Sequence, residues 1–97
     1  MNDHDIQIKR LAEELTKLVE FVPTTKGEIE LWYDRAQSVL EDSDLLKGAP
    51  HFLWHYLSDA DIRMKDEVYG EMQDRRINLV LQHLKRGVMP SDEDTYL

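Results

Sequence analysis

Residues 8–28 read IKRLAEELTKLVEFVPTTKGE, and their pattern is the main basis for predicting the fold class. Wound at about 100° per residue, seven apolar side chains before the proline fall within one arc of about 120°: Ile8, Leu11, Ala12, Leu15, Leu18, Val19 and Val22. This arrangement predicts an amphipathic helix over residues 3–22, which Pro23 ends because proline disfavours helix in the preceding residue. Thr25 and Glu28 have the spacing of a capping box, so a second helix is expected to begin there.

Three further segments complete the helical pattern. The second helix keeps its apolar stripe until the polar stretch 41–44. A short third helix is expected over 50–61, and a break between 58 and 66 should precede a last helix over 66–86. Gly87 is placed to cap that last helix, because glycine readily adopts the positive φ found after helix ends.

No segment alternates apolar and polar residues in the manner of a β-strand. The predicted fold is therefore all-α: a single-domain bundle of about four antiparallel helices with a short third helix. Residues 1–89 are expected to form this helical domain. Residues 90–97, which are acidic, are expected to be a disordered C-terminal tail.

Composition narrows the classes of function. The chain of 97 residues has 20 acidic side chains against 12 Lys and Arg, a net charge of -8, and no cysteine. The missing cysteine excludes disulfides, Cys-ligated zinc, iron–sulfur clusters and thiol catalysis. The negative charge disfavours nucleic acid and anionic membranes as partners and favours a basic protein. No apolar run is long enough to span a membrane and no leader is visible, so a cytoplasmic protein without a cofactor is expected.

One candidate metal site lies on the predicted third helix. His51, His55 and Asp59 are spaced four apart, which winds them to within about 80° of each other on the polar side of the helix. Imidazole and carboxylate ligands suit zinc, nickel, copper or iron. The favoured interpretation is that the three residues form the solvated face of an amphipathic helix, with metal binding as the alternative.

A second candidate pair lies inside the apolar arc of the last helix. Arg76 and His83 are seven residues apart and wind to within about 20° of each other. This spacing resembles the short arginine–histidine motif of the HEPN family of helical ribonucleases, whose two residues share an active site, commonly at a dimer interface. The resemblance covers about eight residues and implies RNA cleavage as an alternative function. The structural alternative is a buried ion pair, in which Arg76 meets Asp59 or Asp61 from another helix.

The leading functional hypothesis rests on apolar side chains outside the core stripes. On the third helix Phe52 and Tyr56 point inward, whereas Trp54 winds about 200° away from Phe52. A tryptophan beside polar residues at the surface is typical of an interface anchor. The sequence therefore favours a non-catalytic module, such as an adaptor, regulator or inhibitor, that binds a protein partner, with a homodimer as an alternative. The predicted contact residues are Leu31, Trp54, Tyr56 and Ile62.

Overall fold

The structure is a computed structural model that describes residues 3–96. These residues form a small bundle, which confirms the all-α prediction. The helices are α1 (Asp3–Glu20), α2 (Lys26–Leu40), α3 (Phe52–Ser58), α4 (Ala60–Lys65) and α5 (Glu67–Lys85), followed by a 3-10 turn (Glu93–Thr95). None of the helices in this part of the chain combines the length and the apolar character needed to cross a bilayer. Predictions that concern residues 1, 2 and 97 lie outside the described residues.

The helix ends follow the capping signals in the sequence. The Thr25 hydroxyl accepts a hydrogen bond from the Glu28 backbone N–H at 3.1 Å, and the Glu28 carboxylate accepts one from the Thr24 backbone N–H at 2.9 Å. At the start of α5, the Asp66 carboxylate accepts a hydrogen bond from a backbone N–H of the first turn at 3.0 Å. Gly87 follows α5 with a φ of 79°. These features satisfy backbone groups that helix ends leave without partners.

The segment predicted as one helix over 50–61 is divided in two. Asp59 alone separates α3 from α4, with a φ of -113° and a ψ of 21°. Its carboxylate accepts a hydrogen bond from the Tyr69 hydroxyl of α5 at 2.6 Å, a long-range contact that helical spacing does not show. The break expected between 58 and 66 is therefore two breaks, at Asp59 and Asp66.

The core is built where the helices face one another. Helix α1 packs on α2 and α5, α4 packs on α5, and α3 packs on α2 and α5. The linker between α2 and α3 adds Leu45 and Leu46, which the helical patterns did not assign to the core. Val22 differs from its predicted inward position, because α1 ends at Glu20 and the side chain is 72% exposed. The buried apolar residues are Ile8, Leu11, Leu15, Leu18, Trp32, Ala36, Val39, Leu45, Leu46, Phe52, Leu53, Tyr56, Leu57, Ala60, Ile77, Val80, Leu81 and Leu84.

The C-terminal residues differ from the disordered tail predicted for 90–97. The 3-10 turn packs against α5, and Pro90 and Thr95 are buried. The Thr95 carbonyl and hydroxyl oxygens accept hydrogen bonds from the Arg76 guanidinium at 3.1 and 2.9 Å. The Asp92 carboxylate accepts one from the Phe52 backbone N–H at the start of α3, at 3.0 Å. One of the acidic residues that suggested a solvated tail, Asp92, thus accepts a hydrogen bond from the N-terminus of α3.

Candidate functional site

Three of the four predicted contact residues lie at the surface. Leu31, Trp54 and Ile62 are 46%, 38% and 44% exposed. They belong to α2, α3 and α4, and α2 packs against both of the other helices. The assignment of Tyr56 as a contact residue is corrected, because Tyr56 is 4% exposed and its ring packs against Trp32 in the core. Its helical position had already placed it on the inward face of α3.

The histidine row is not brought together with its predicted third ligand. His51 and His55 are both exposed, and their ring centroids lie 5.0 Å apart. The Asp59 carboxylate instead binds the Tyr69 hydroxyl on α5. Over residues 3–96, no group of three or more His, Asp or Glu side chains is arranged to hold a metal ion.

Arg76 and His83 each make separate contacts within the fold. Besides its hydrogen bonds to Thr95, the Arg76 guanidinium lies over the Phe52 ring, 4.3 Å from its centroid. The His83 Nδ1 atom lies 2.9 Å from the Leu79 carbonyl oxygen of the same helix. Arg76 therefore anchors the C-terminal residues to α5.

The two aspartates predicted as partners of Arg76 bind tyrosines instead. The Tyr69 hydroxyl donates to Asp59, and the Tyr33 hydroxyl donates to Asp61 at 2.6 Å. The second hydrogen bond lowers the pKa of Asp61, because it stabilises the charged carboxylate. The prediction that Arg76 pairs with one of these two residues is wrong, since aromatic rings and the C-terminal segment hold the cation.

The cation at the centre of the polar interior is Arg63 of α4, which the sequence patterns did not single out. Its Nη1 group donates to the Tyr56 carbonyl oxygen at 2.7 Å and to Gln73 Oε1 at 2.6 Å. The guanidinium carbon lies 4.0 Å from the centroid of the Tyr56 ring and 5.1 Å from that of Trp32. Burial lowers the pKa of the guanidinium, because desolvation disfavours the charged form. The hydrogen bonds and the aromatic rings offset this cost.

Gln73 extends this network from Arg63 to α3. The side chain is buried, and its Nε2 group donates to the Tyr69 hydroxyl at 2.9 Å. That hydroxyl donates in turn to Asp59, and the hydrogen bond raises the pKa of Tyr69 to about 12. Both ends of the buried amide therefore have partners, as a polar group in the interior requires. The network joins α3, α4 and α5.

A pocket of about 390 Å³ opens beside this network, and we call it the Arg63 pocket. It is formed by the end of α1, the linker to α2, and residues of α2, α3, α4 and α5. Its polar lining includes Tyr56, Arg63 and Asp74. Its apolar lining includes Val19, Phe21, Val22 and Met64. No motif in the sequence pointed to this pocket, because its lining residues are far apart in the chain.

Gly70 is the one signal that could have pointed to the site. A Cβ atom at this position would lie 3.2 Å from the Arg63 carbonyl oxygen, so the missing side chain allows α4 and α5 to approach closely. Glycine in a helix interior costs about 1 kcal/mol relative to alanine. Its presence inside a predicted helix therefore indicates the close approach of another backbone.

No protein-family model, curated protein sequence or solved structure matches this chain. Function is therefore inferred from the residues and their geometry alone.

Proposed function

We propose that the protein is a non-catalytic helical module that binds a basic protein partner, as an adaptor, regulator or inhibitor does. The observation that carries the proposal is the exposure of Leu31, Trp54 and Ile62 on three neighbouring helices. Trp54 stacks on His51 with the ring planes 22° apart, so its orientation is supported before a partner arrives. Aromatic side chains that lose little freedom on binding are effective interface anchors.

The charge of the molecule supports a basic partner. The chain carries 20 acidic side chains against 12 Lys and Arg, and two of those cations, Arg63 and Arg76, lie against aromatic rings within the fold. The surface that a partner meets is therefore more acidic than the total charge suggests. Such a surface speeds association with a basic protein at low salt and repels nucleic acid. The proposed setting is the cytoplasm, with which a chain without cysteine is compatible.

The test begins with affinity capture by the tagged protein from source-cell lysate, at low and at high salt. Binding of the recovered protein is then measured with purified variants. Trp54→Ala should weaken binding about tenfold or more, which is typical of an anchor residue. Val68→Ala is the matched control, because Val68 is an apolar residue of α5 that is 79% exposed and lies outside the proposed set.

Two outcomes would contradict this proposal. One is equal binding by Trp54→Ala and Val68→Ala, which would remove Trp54 from the interface. The other is recovery of nothing but further copies of the chain, with a dimer mass in light scattering. That result would replace the basic partner with a homodimer.

A further inference from the structure

The Arg63 pocket contains a charge that its surroundings do not pair. Within residues 3–96, no carboxylate oxygen lies within 4.0 Å of the Arg63 guanidinium, and its Nε and Nη2 groups donate to no protein atom. Desolvated cations in proteins are normally paired or fully hydrogen-bonded. A guanidinium with unused N–H groups beside a pocket is therefore placed to bind an acceptor that comes from outside.

The Tyr56 hydroxyl is a second polar group available in this pocket. Tyr56 is 4% exposed and lines the pocket, and its hydroxyl makes no hydrogen bond to the described part of the chain. Because residues 3–96 contain no fully sealed side-chain nitrogen or oxygen without a partner, this hydroxyl oxygen keeps some contact with solvent. Burial raises its pKa to about 12, so it keeps its proton at neutral pH and can donate it.

Asp74 of α5 adds the opposite charge to the same lining. Its carboxylate lies near enough to raise the pKa of both Tyr56 and Arg63, although it forms no ion pair within residues 3–96. A simple anion would be repelled by Asp74, and a simple cation would be repelled by Arg63. A ligand that carries one charge of each sign satisfies both side chains.

The rest of the lining is apolar and partly open. Val22 is 72% exposed and Met64 is 45% exposed, so a ligand can still remove apolar surface from water here. The volume of about 390 Å³ lies near the lower end of the range for small-molecule sites. Size and lining together suit a compact molecule with one apolar group.

We infer that the Arg63 pocket binds a free apolar or aromatic α-amino acid. The ligand carboxylate accepts hydrogen bonds from Arg63 and Tyr56, its ammonium group faces Asp74, and its side chain packs on the apolar lining. This site is separate from the proposed protein-binding surface, because Trp54 does not line the pocket.

The test is a titration of the ¹⁵N-labelled full chain with phenylalanine and with leucine, followed by NMR of the backbone amides. Saturable shifts are expected around the pocket, for example at Gly70 and Val22. Phenylalanine methyl ester lacks the carboxylate and N-acetylphenylalanine lacks the ammonium group, so each should bind about tenfold more weakly. No saturable shift up to about 10 mM ligand would overturn the assignment. Undiminished binding of N-acetylphenylalanine would also overturn the assignment. It would show that the pocket needs only the carboxylate and side chain, as a peptide C-terminus would supply them.

Two pocket variants and two control variants complete the test of the pocket. Tyr56→Phe and Asp74→Asn preserve side-chain shape and should each weaken phenylalanine binding about tenfold. Asp34→Asn is the matched control, because Asp34 is an exposed acidic residue of α2 that does not line the pocket. Trp54→Ala should bind phenylalanine as the wild type does, which distinguishes failure here from failure of the proposed protein-binding function. Wild-type affinity in both pocket variants would show the assignment to be wrong.

Discussion

Among the polar side chains, Arg63 is the one whose replacement we expect to lower the stability of the fold. In Arg63→Met, the Tyr56 carbonyl and the Gln73 side chain lose a charged donor, while much of the apolar volume is retained. Hydrogen bonds to charged groups contribute more than neutral ones, so we expect a loss of about 2 to 3 kcal/mol in the free energy of unfolding by urea. Arg10→Met is the control, because the ion pair of Arg10 with Asp42 is exposed and should change stability by less than about 1 kcal/mol. Equal losses would contradict a structural role for Arg63.

Gly70 gives a second prediction at the scale of one residue. Replacing glycine with alanine inside a helix normally stabilises the helix by about 1 kcal/mol. At Gly70 the new Cβ would press on the Arg63 carbonyl oxygen, whereas at Gly27 of α2 it would meet nothing within 4 Å. We therefore expect Gly27→Ala to raise the thermal midpoint more than Gly70→Ala does. A larger gain at Gly70 would show that α4 and α5 can separate at little cost.

At the scale of elements, the C-terminal segment is expected to stabilise the start of α3. The Phe52 backbone N–H donates to the Asp92 carboxylate, and this hydrogen bond lowers the pKa of Asp92. In Asp92→Ala the N–H loses its acceptor, at a cost of about 1 kcal/mol as for other lost helix caps. Hydrogen exchange at the Phe52 amide should become faster, while Glu93→Ala, which removes an exposed neighbouring carboxylate, should leave it unchanged. Unchanged exchange in Asp92→Ala would contradict the contact.

For the whole molecule, the two shifted tyrosines predict loss of stability at high pH. The pKa values of Tyr56 and Tyr69 rise from 10.0 to about 12 in the fold, so folding favours their neutral forms. The stability that these two pKa shifts contribute is fully present below pH 10, and it is lost as the pH rises toward 12. The free energy of unfolding should therefore fall across this interval. The charged groups that face Tyr56 are Arg63 and Asp74.

Phenylalanine variants separate this effect from general alkaline unfolding. Tyr56→Phe and Tyr69→Phe each remove one ionisable hydroxyl, so each should show a smaller fall in unfolding free energy than the wild type between pH 10 and 12. The double variant should show the smallest fall. Parallel curves for all four proteins would contradict the assigned pKa shifts.

The secondary structure followed from local signals. The spacing of apolar residues predicted the long helices, and Thr25, Asp66 and Gly87 marked helix ends that the structure confirms. These signals act over three or four residues, so they can be read from a sequence alone. The division of the third helix at Asp59 could not be read in this way, because the contact that accompanies it comes from Tyr69 on another helix.

By itself, the sequence determined the helical class, most helix ends, the inward faces and the acidic charge. Tertiary structure decided which polar residues meet. The packing of the helices brings Arg63 into hydrogen-bonding contact with Gln73 and Arg76 into hydrogen-bonding contact with Thr95. It also forms a pocket from residues between Leu18 and Asp74. The physical reason is range: helix formation depends on neighbours within one turn, whereas a buried cation or a pocket depends on side chains that only the packing of separate helices brings together.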